Sequence, residues 1–161
     1  MSSVLPTNGR ELVVTTQDGV EILNFETAQL RALADPEQGL HENRLNDAKV
    51  GPGGAIWVGS MRMDAAKPTG GLYRVDQSGE WARLESGLTV SNGLAWSPDN
   101  RTFYFVDTVP GLLYAYDCTP GSGTLSNRRV FAEIPAEDGR PDGIVVDDQG
   151  GVWVALWDGW K

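Results

Sequence analysis

The amino-acid sequence predicts an all-β chain that forms part of a β-propeller. Three observations carry that prediction. The apolar stretches are short, rich in β-branched and aromatic residues, and bounded by turn formers. The 20 glycines and 9 prolines are spread along the chain at short intervals instead of pooling in a linker. One layout of apolar residues, polar turn and aromatic strand recurs about every 48 residues, the size of a four-stranded blade.

In chain order, strands are expected at Leu12–Thr16, Ala55–Val58, Leu72–Val75, Thr102–Asp107, Leu112–Tyr116 and Val152–Leu156. Tight reversals are expected at Gln17-Asp18-Gly19, Gly51-Pro52-Gly53-Gly54, Ser97-Pro98-Asp99-Asn100 and Asp147-Asp148-Gln149-Gly150. Glu26 to Ala34 strings together good helix formers and by itself reads as a short helix, although its neighbours favour a strand. The recurrent layout covers Lys49–Met61 around Trp57, Leu94–Asp107 around Tyr104 and Ile144–Leu156 around Trp153, with the aromatics 47 and 49 residues apart. A strand of a second kind, Gly71–Asp76 and Gly111–Asp117, follows the first two. The chain thus holds about three to three and a half blades, against roughly four to eight in a closed ring. Open sheet edges of such a part-ring invite self-association.

Composition removes several functions. With 13 Lys plus Arg against 22 Asp plus Glu, the formal net charge is −9, and the only notable basic grouping is Arg128-Arg129. A phosphate-backbone binder needs clustered cations, so a nucleic-acid role is excluded. No run of 18 apolar residues and no charged-then-apolar leader is present, so neither a membrane span nor an export signal is expected. Cys118 is the only cysteine, which rules out an intrachain disulfide and points to the cytoplasm. His41 is the only histidine and reads as a surface residue, so a histidine-based triad is unavailable. Trp57, Trp96 and Trp153 are expected to pack between sheets, while Trp157 and Trp160 have no assigned partner.

Three polar clusters mark the starts of inner strands: Glu42–Lys49, Val90–Leu94 and Arg140–Ile144. Asn92 follows Asn46 by 46 residues, and Asp142 follows Asn92 by 50. Singly, Asn46-Asp47, Ser91-Asn92-Gly93 and Pro141-Asp142-Gly143 read as turns and Arg44 as a solvated charge. Their shared period argues instead that they converge on one channel mouth, where carboxylate and amide oxygens suit a hard divalent ion.

Arg44-Leu45-Asn46-Asp47-Ala48-Lys49-Val50, Ser91-Asn92-Gly93-Leu94-Ala95-Trp96-Ser97 and Pro141-Asp142-Gly143-Ile144-Val145-Val146-Asp147, in this order and at this spacing, resemble the gluconolactonase, regucalcin and luciferin-regenerating-enzyme family. Gly59-Ser60-Met61 and Gly151 to Ala155 are also similar to it, and the resemblance runs from about residue 10 to the end. It implies a six-bladed β-propeller holding one divalent metal ion, Ca²⁺, Zn²⁺, Mg²⁺ or Mn²⁺, that hydrolyses a sugar lactone. By that resemblance Asn92 and Asp142 are metal ligands and Asp142 is also the general base, while Arg44 and Asn46 hold the sugar. Asp64 stands where some members carry a substrate-contacting glutamate one methylene longer. The family's third metal ligand, a glutamate before Gly-Pro, has no counterpart, since no Glu here precedes Gly-Pro. Relative to the family, residues 1–161 form one partial propeller domain cut at both ends.

The resemblance therefore favours an ion-polarised lactone carbonyl attacked by activated water. A non-enzymatic propeller that binds a protein or small ligand is the alternative from another class, and a fragment inactive for want of the third ligand is a second.

Overall fold

The computed structural model describes residues 1–160. Fourteen strands follow one another in three four-stranded antiparallel sheets and a final two-stranded one. The first sheet holds β1 (Ser3–Pro6), β2 (Glu11–Thr15), β3 (Val20–Asn24) and β4 (Gln29–Ala34). The second holds β5 (Asn43–Val50), β6 (Ile56–Arg62), β7 (Gly70–Val75) and β8 (Trp81–Leu88). The third holds β9 (Ser91–Trp96), β10 (Thr102–Asp107), β11 (Leu112–Cys118) and β12 (Leu125–Glu133), and the fourth β13 (Arg140–Val146) and β14 (Val152–Trp157). Within each sheet every strand pairs only with its sequence neighbours, and β1, β5, β9 and β13 meet in succession. These are propeller blades, three complete and one half, as the repeat length predicts.

Each expected strand is present, and each expected reversal is a turn. Asn100 N–H donates to Ser97 O at 2.8 Å, and Gly150 N–H to Asp147 O at 3.1 Å. The helix formers at Glu26–Ala34 do not make a helix. Asn24 Oδ1 accepts the N–H groups of Glu26 and Thr27, and Ala28 turns at φ 56°, so the chain reverses and Gln29–Ala34 pairs with β3. Local propensity of a few tenths of a kcal/mol per residue yields to a complete strand ladder.

The core lies between blades. Leu5, Val13, Val20 and Ile22 pack on Leu45, Ile56, Val58 and Tyr73. Trp57 of the second sheet stands edge-on to Trp96 of the third at 5.2 Å between centroids and lies 4.8 Å from Phe103. Ala95, Val106 and Leu113 face Ile144 of the fourth sheet. Trp153 departs from the expected interior role, being 65% exposed with its indole N–H on Asp147 Oδ2 at 2.8 Å. Exposure alternates along β14, and among the described residues β14 pairs with no strand but β13.

The first and second blades are also clipped by one buried carboxylate. Glu37, in the connection before β5, accepts Asn43 Nδ2 at 2.7 Å, the Tyr73 hydroxyl at 2.6 Å and the Ser60 hydroxyl. Burial pushes the Tyr73 phenol well above its ordinary range, and the hydrogen bond to Glu37 and that residue's charge push the same way. Glu37→Ala removes the acceptor of the Tyr73 hydroxyl and leaves Asn43 Nδ2 and the Ser60 hydroxyl only their bonds to Thr69 O and Gly71 O, and is expected to cost about 2 kcal/mol, read as a lowered urea midpoint at unchanged slope.

Candidate functional site

A cavity of about 350 Å³ opens at one end of the inner strands, and three blades supply its walls in the same way. Each first strand, or in the third blade the residue just before it, contributes two side chains two residues apart: Arg44 and Asn46, Val90 and Asn92, Arg140 and Asp142. Each second strand or its end contributes one, Met61, Thr108 or Trp157, four residues beyond the repeated aromatics Trp57, Tyr104 and Trp153.

A β-bulge places the first set. Asn46-Asp47 together oppose Gly59, Asn92-Gly93 oppose Val106, and Asp142-Gly143 oppose Ala155. The extra residue shifts the side-chain alternation, so that residues three apart, Leu45 with Ala48, Ser91 with Leu94, and Pro141 with Ile144, are all buried. The blades then close tightly. A Cβ on Gly93, whose φ is +26°, would meet Asp142 O at 2.6 Å, and one on Gly59 would meet Ser91 Cβ at 2.3 Å.

The polar groups form a directed chain. Arg44 Nη1 donates to Asn46 Oδ1 at 2.8 Å, and Asn46 Nδ2 donates to Asn92 Oδ1 at 2.8 Å and to Ser91 O at 2.8 Å. Asn92 Nδ2 donates to Thr108 Oγ1 at 2.9 Å, whose hydroxyl donates to Pro141 O at 2.8 Å. Three blades are linked from a guanidinium that can only donate to a carbonyl that can only accept. The Asp142 carboxylate has no hydrogen bond or ion pair among the described residues.

Arg44, Asn46, Asn92 and Asp142, expected to converge, all line this one cavity. Asp64 does not. Its carboxylate accepts Arg62 Nε at 2.8 Å and Ala66 N–H at 2.9 Å, and the Ala66 bond, followed by the Arg62 bond, lowers its pKa. The shorter side chain is captured by its own turn, and Ala65 lines the cavity beside it. His41 lies exposed away from the cavity, as expected. The sequence assigns no site role to Thr108, Met61 or Trp157, and marks Arg140 only as the start of the third polar cluster. Their signal was positional: two residues before each polar ligand type, or four after each repeated aromatic.

Asp47 shares the Asn46 bulge. Burial raises the pKa of its carboxyl, the charge of Asp142 raises it further, and the Ala48 N–H that it accepts at 2.8 Å opposes both.

No grouping of three or more His, Cys, Asp or Glu side chains suited to a metal occurs among the described residues. Among the oxygens of the hard kind on its lining are the Asn92 amide oxygen, which also accepts Asn46 Nδ2, and the Asp142 carboxylate. They fit a hard divalent cation as two of its ligands, short of the roughly 6 to 8 oxygens that Ca²⁺ takes.

Two outcomes follow from this geometry. Gly93→Ala is expected to destabilise the chain by about 2 kcal/mol or more in urea unfolding, because a Cβ at positive φ meets the β13 backbone. For Asp47 the raised folded-state pKa is a penalty absent below the ordinary aspartate pKa, where folded and unfolded chains both keep the proton. It grows as pH rises through that value toward the raised one, because the unfolded chain ionises first. Asp47→Asn keeps an oxygen for Ala48 N–H, so it is expected to raise the thermal midpoint at pH 7, with the gain vanishing toward pH 3.

Comparison with known proteins agrees with the geometry. The sequence profile of the SMP-30/Gluconolactonase/LRE-like region matches residues 1–161. A luciferin-regenerating enzyme structure superposes with a TM-score of 0.91 at 31% identity, over 98% of this chain and 56% of that one. Regucalcin from Agrobacterium tumefaciens, described as a calcium-binding protein, superposes at 0.89 with 30% identity, over 96% of this chain and 52% of that one. The pentonolactonase XacC from Haloferax volcanii is 36% identical over 116 residues, 72% of this chain and 39% of that protein. The chain spans about half the length of the curated relatives it matches. No helix among the described residues is long and apolar enough to cross a membrane. The match over residues 1–161 and these superpositions show that the chain belongs to the SMP-30/gluconolactonase/LRE-like family, whose members include proteins named as a pentonolactonase and a gluconolactonase.

Proposed function

We propose that this chain supplies part of the active site of a cytoplasmic, metal-dependent sugar lactonase. The observation that carries the reading is that Arg44, Asn46, Asn92 and Asp142, drawn from three blades, line one cavity. The pentonolactonase and gluconolactonase among similar proteins favour a small sugar lactone as the substrate class. Asn92 Oδ1 and Asp142 would hold one divalent cation, whose chemistry when bound is to polarise a carbonyl and acidify water.

The chain's own residues do the rest. Asp142, free of hydrogen-bond partners, takes a proton from the water that attacks the lactone carbonyl carbon. The ring carbon–oxygen bond then breaks, the proton passes to the departing ring oxygen, and a hydroxy acid results. Arg44 donates to ring hydroxyls while Asn46, held between Arg44 and Asn92, keeps its register. No nucleophilic serine, cysteine or lysine is needed.

A hydrolysis assay on gluconolactone and a pentonolactone tests this. Asp142→Asn is expected to lower kcat by about 10³-fold, the scale of a lost general base, and a chelator is expected to abolish turnover until Ca²⁺, Mn²⁺ or Zn²⁺ is restored. Turnover insensitive to both overturns the proposal.

A further inference from the structure

The directed chain contains one group with no role in the lactonase reading. Thr108 is 6% exposed and sits where β10 has just ended, between the first strands of two blades. The equivalent positions of the neighbouring blades are Met61 and Trp157, neither able to exchange hydrogen bonds in the same way. Thr108 uses both capacities of its hydroxyl, donating to Pro141 O at 2.8 Å and accepting Asn92 Nδ2 at 2.9 Å.

An asparagine amide has an oxygen face and a nitrogen face, and an oxygen ligand is useful only if the oxygen is presented. Because Pro141 O can only accept, the Thr108 proton is committed to it, and what remains toward Asn92 is a lone pair. That lone pair selects the Asn92 nitrogen. From the other side, Asn46 gives its oxygen to Arg44 and so offers Asn92 an N–H, which selects the Asn92 oxygen. The same hydroxyl ties Asn92 to the residue immediately before Asp142.

We infer that Thr108 is a positioning residue that locks the Asn92 amide in one orientation, carbonyl oxygen toward Asn46, and sets the spacing of Asn92 from Asp142. The inference deepens the lactonase reading and rests on it for the use to which that oxygen is put. The orientation itself stands on the hydrogen bonds alone.

The test is a double-mutant cycle. Thr108→Val removes the hydroxyl at nearly constant shape, and Asn92→Asp replaces the two-faced amide by a carboxylate with no wrong face. Mn²⁺ binding by calorimetry, lactone kcat and KM, and the thermal midpoint are read on each single variant, the double variant and Thr108→Ser. Thr108→Val is expected to weaken Mn²⁺ binding and lower kcat by about tenfold or more, as lost support of a ligand does, with KM little changed. Thr108→Ser is expected to restore both to within about threefold, and Thr108→Val is expected to cost at most about threefold in the Asn92→Asp background. Equal losses in both backgrounds, or no loss in either, overturn the proposal. If Thr108→Val does not fold, Thr108→Ala carries the same comparison. If the unmutated chain neither binds Mn²⁺ nor opens a lactone, the lactonase reading fails by itself. The orientation is then decided by the ¹⁵N-resolved side-chain amide of Asn92. Hydrogen exchange that is slow in the unmutated chain and in Thr108→Ser, and fast in Thr108→Val, upholds the lock; equal exchange in all three overturns it.

Discussion

The structure depends on a bulge repeated in the first strand of successive blades. A plain strand alternates its side chains, so residues three apart point to opposite faces. Leu45 and Ala48 nevertheless both reach the interior, as do Ser91 with Leu94 and Pro141 with Ile144. Inserting one residue opposite Gly59, Val106 and Ala155 resets the alternation. The strand can then carry polar residues toward the channel at its start and apolar residues toward the core further on. Without the reset, one of the two sets would be misplaced.

Close approach of the blades is the second half of the same device. Gly59 admits Ser91, whose hydroxyl donates back to Ser60 O at 2.8 Å, and Gly93 admits the backbone of Asp142. Where the backbones come this near, short polar side chains reach across. That is why the contacts around the cavity are hydrogen bonds between side chains and carbonyls of neighbouring sheets, while the apolar clusters lie further out. Their fixed donors and acceptors give the chain from Arg44 to Pro141 O a single direction, which leaves the Asp142 carboxylate and the Arg140 guanidinium as cavity groups without a hydrogen-bond partner among the described residues.

Much of this was legible in the amino-acid sequence. The 46- and 50-residue spacings of Asn46, Asn92 and Asp142 located the cavity residues, because equivalent places in stacked blades share an axis. Trp57 packed as expected, whereas the equivalent Trp153 did not, since burial of one sheet face depends on what lies beside it. Glu26 to Ala34 was ambiguous because helix propensity is local and weak, and pairing with β3 outweighed it. Asp64 matched a position but not a reach: its carboxylate turns onto Arg62 and Ala66 N–H. Thr108 was marked only by its place four residues after Tyr104, because Met61, Thr108 and Trp157 share that place in the blade and no chemistry.

By itself the sequence determined the strands, the turns, the blade period and the three polar clusters, all of which follow from alternation, turn chemistry and repetition along the chain. Tertiary structure decided which way each polar side chain points and with whom it pairs. Bulge phase, the nearness of one blade to the next and the direction of a hydrogen-bond chain are relations between segments some fifty residues apart, and no local pattern encodes them.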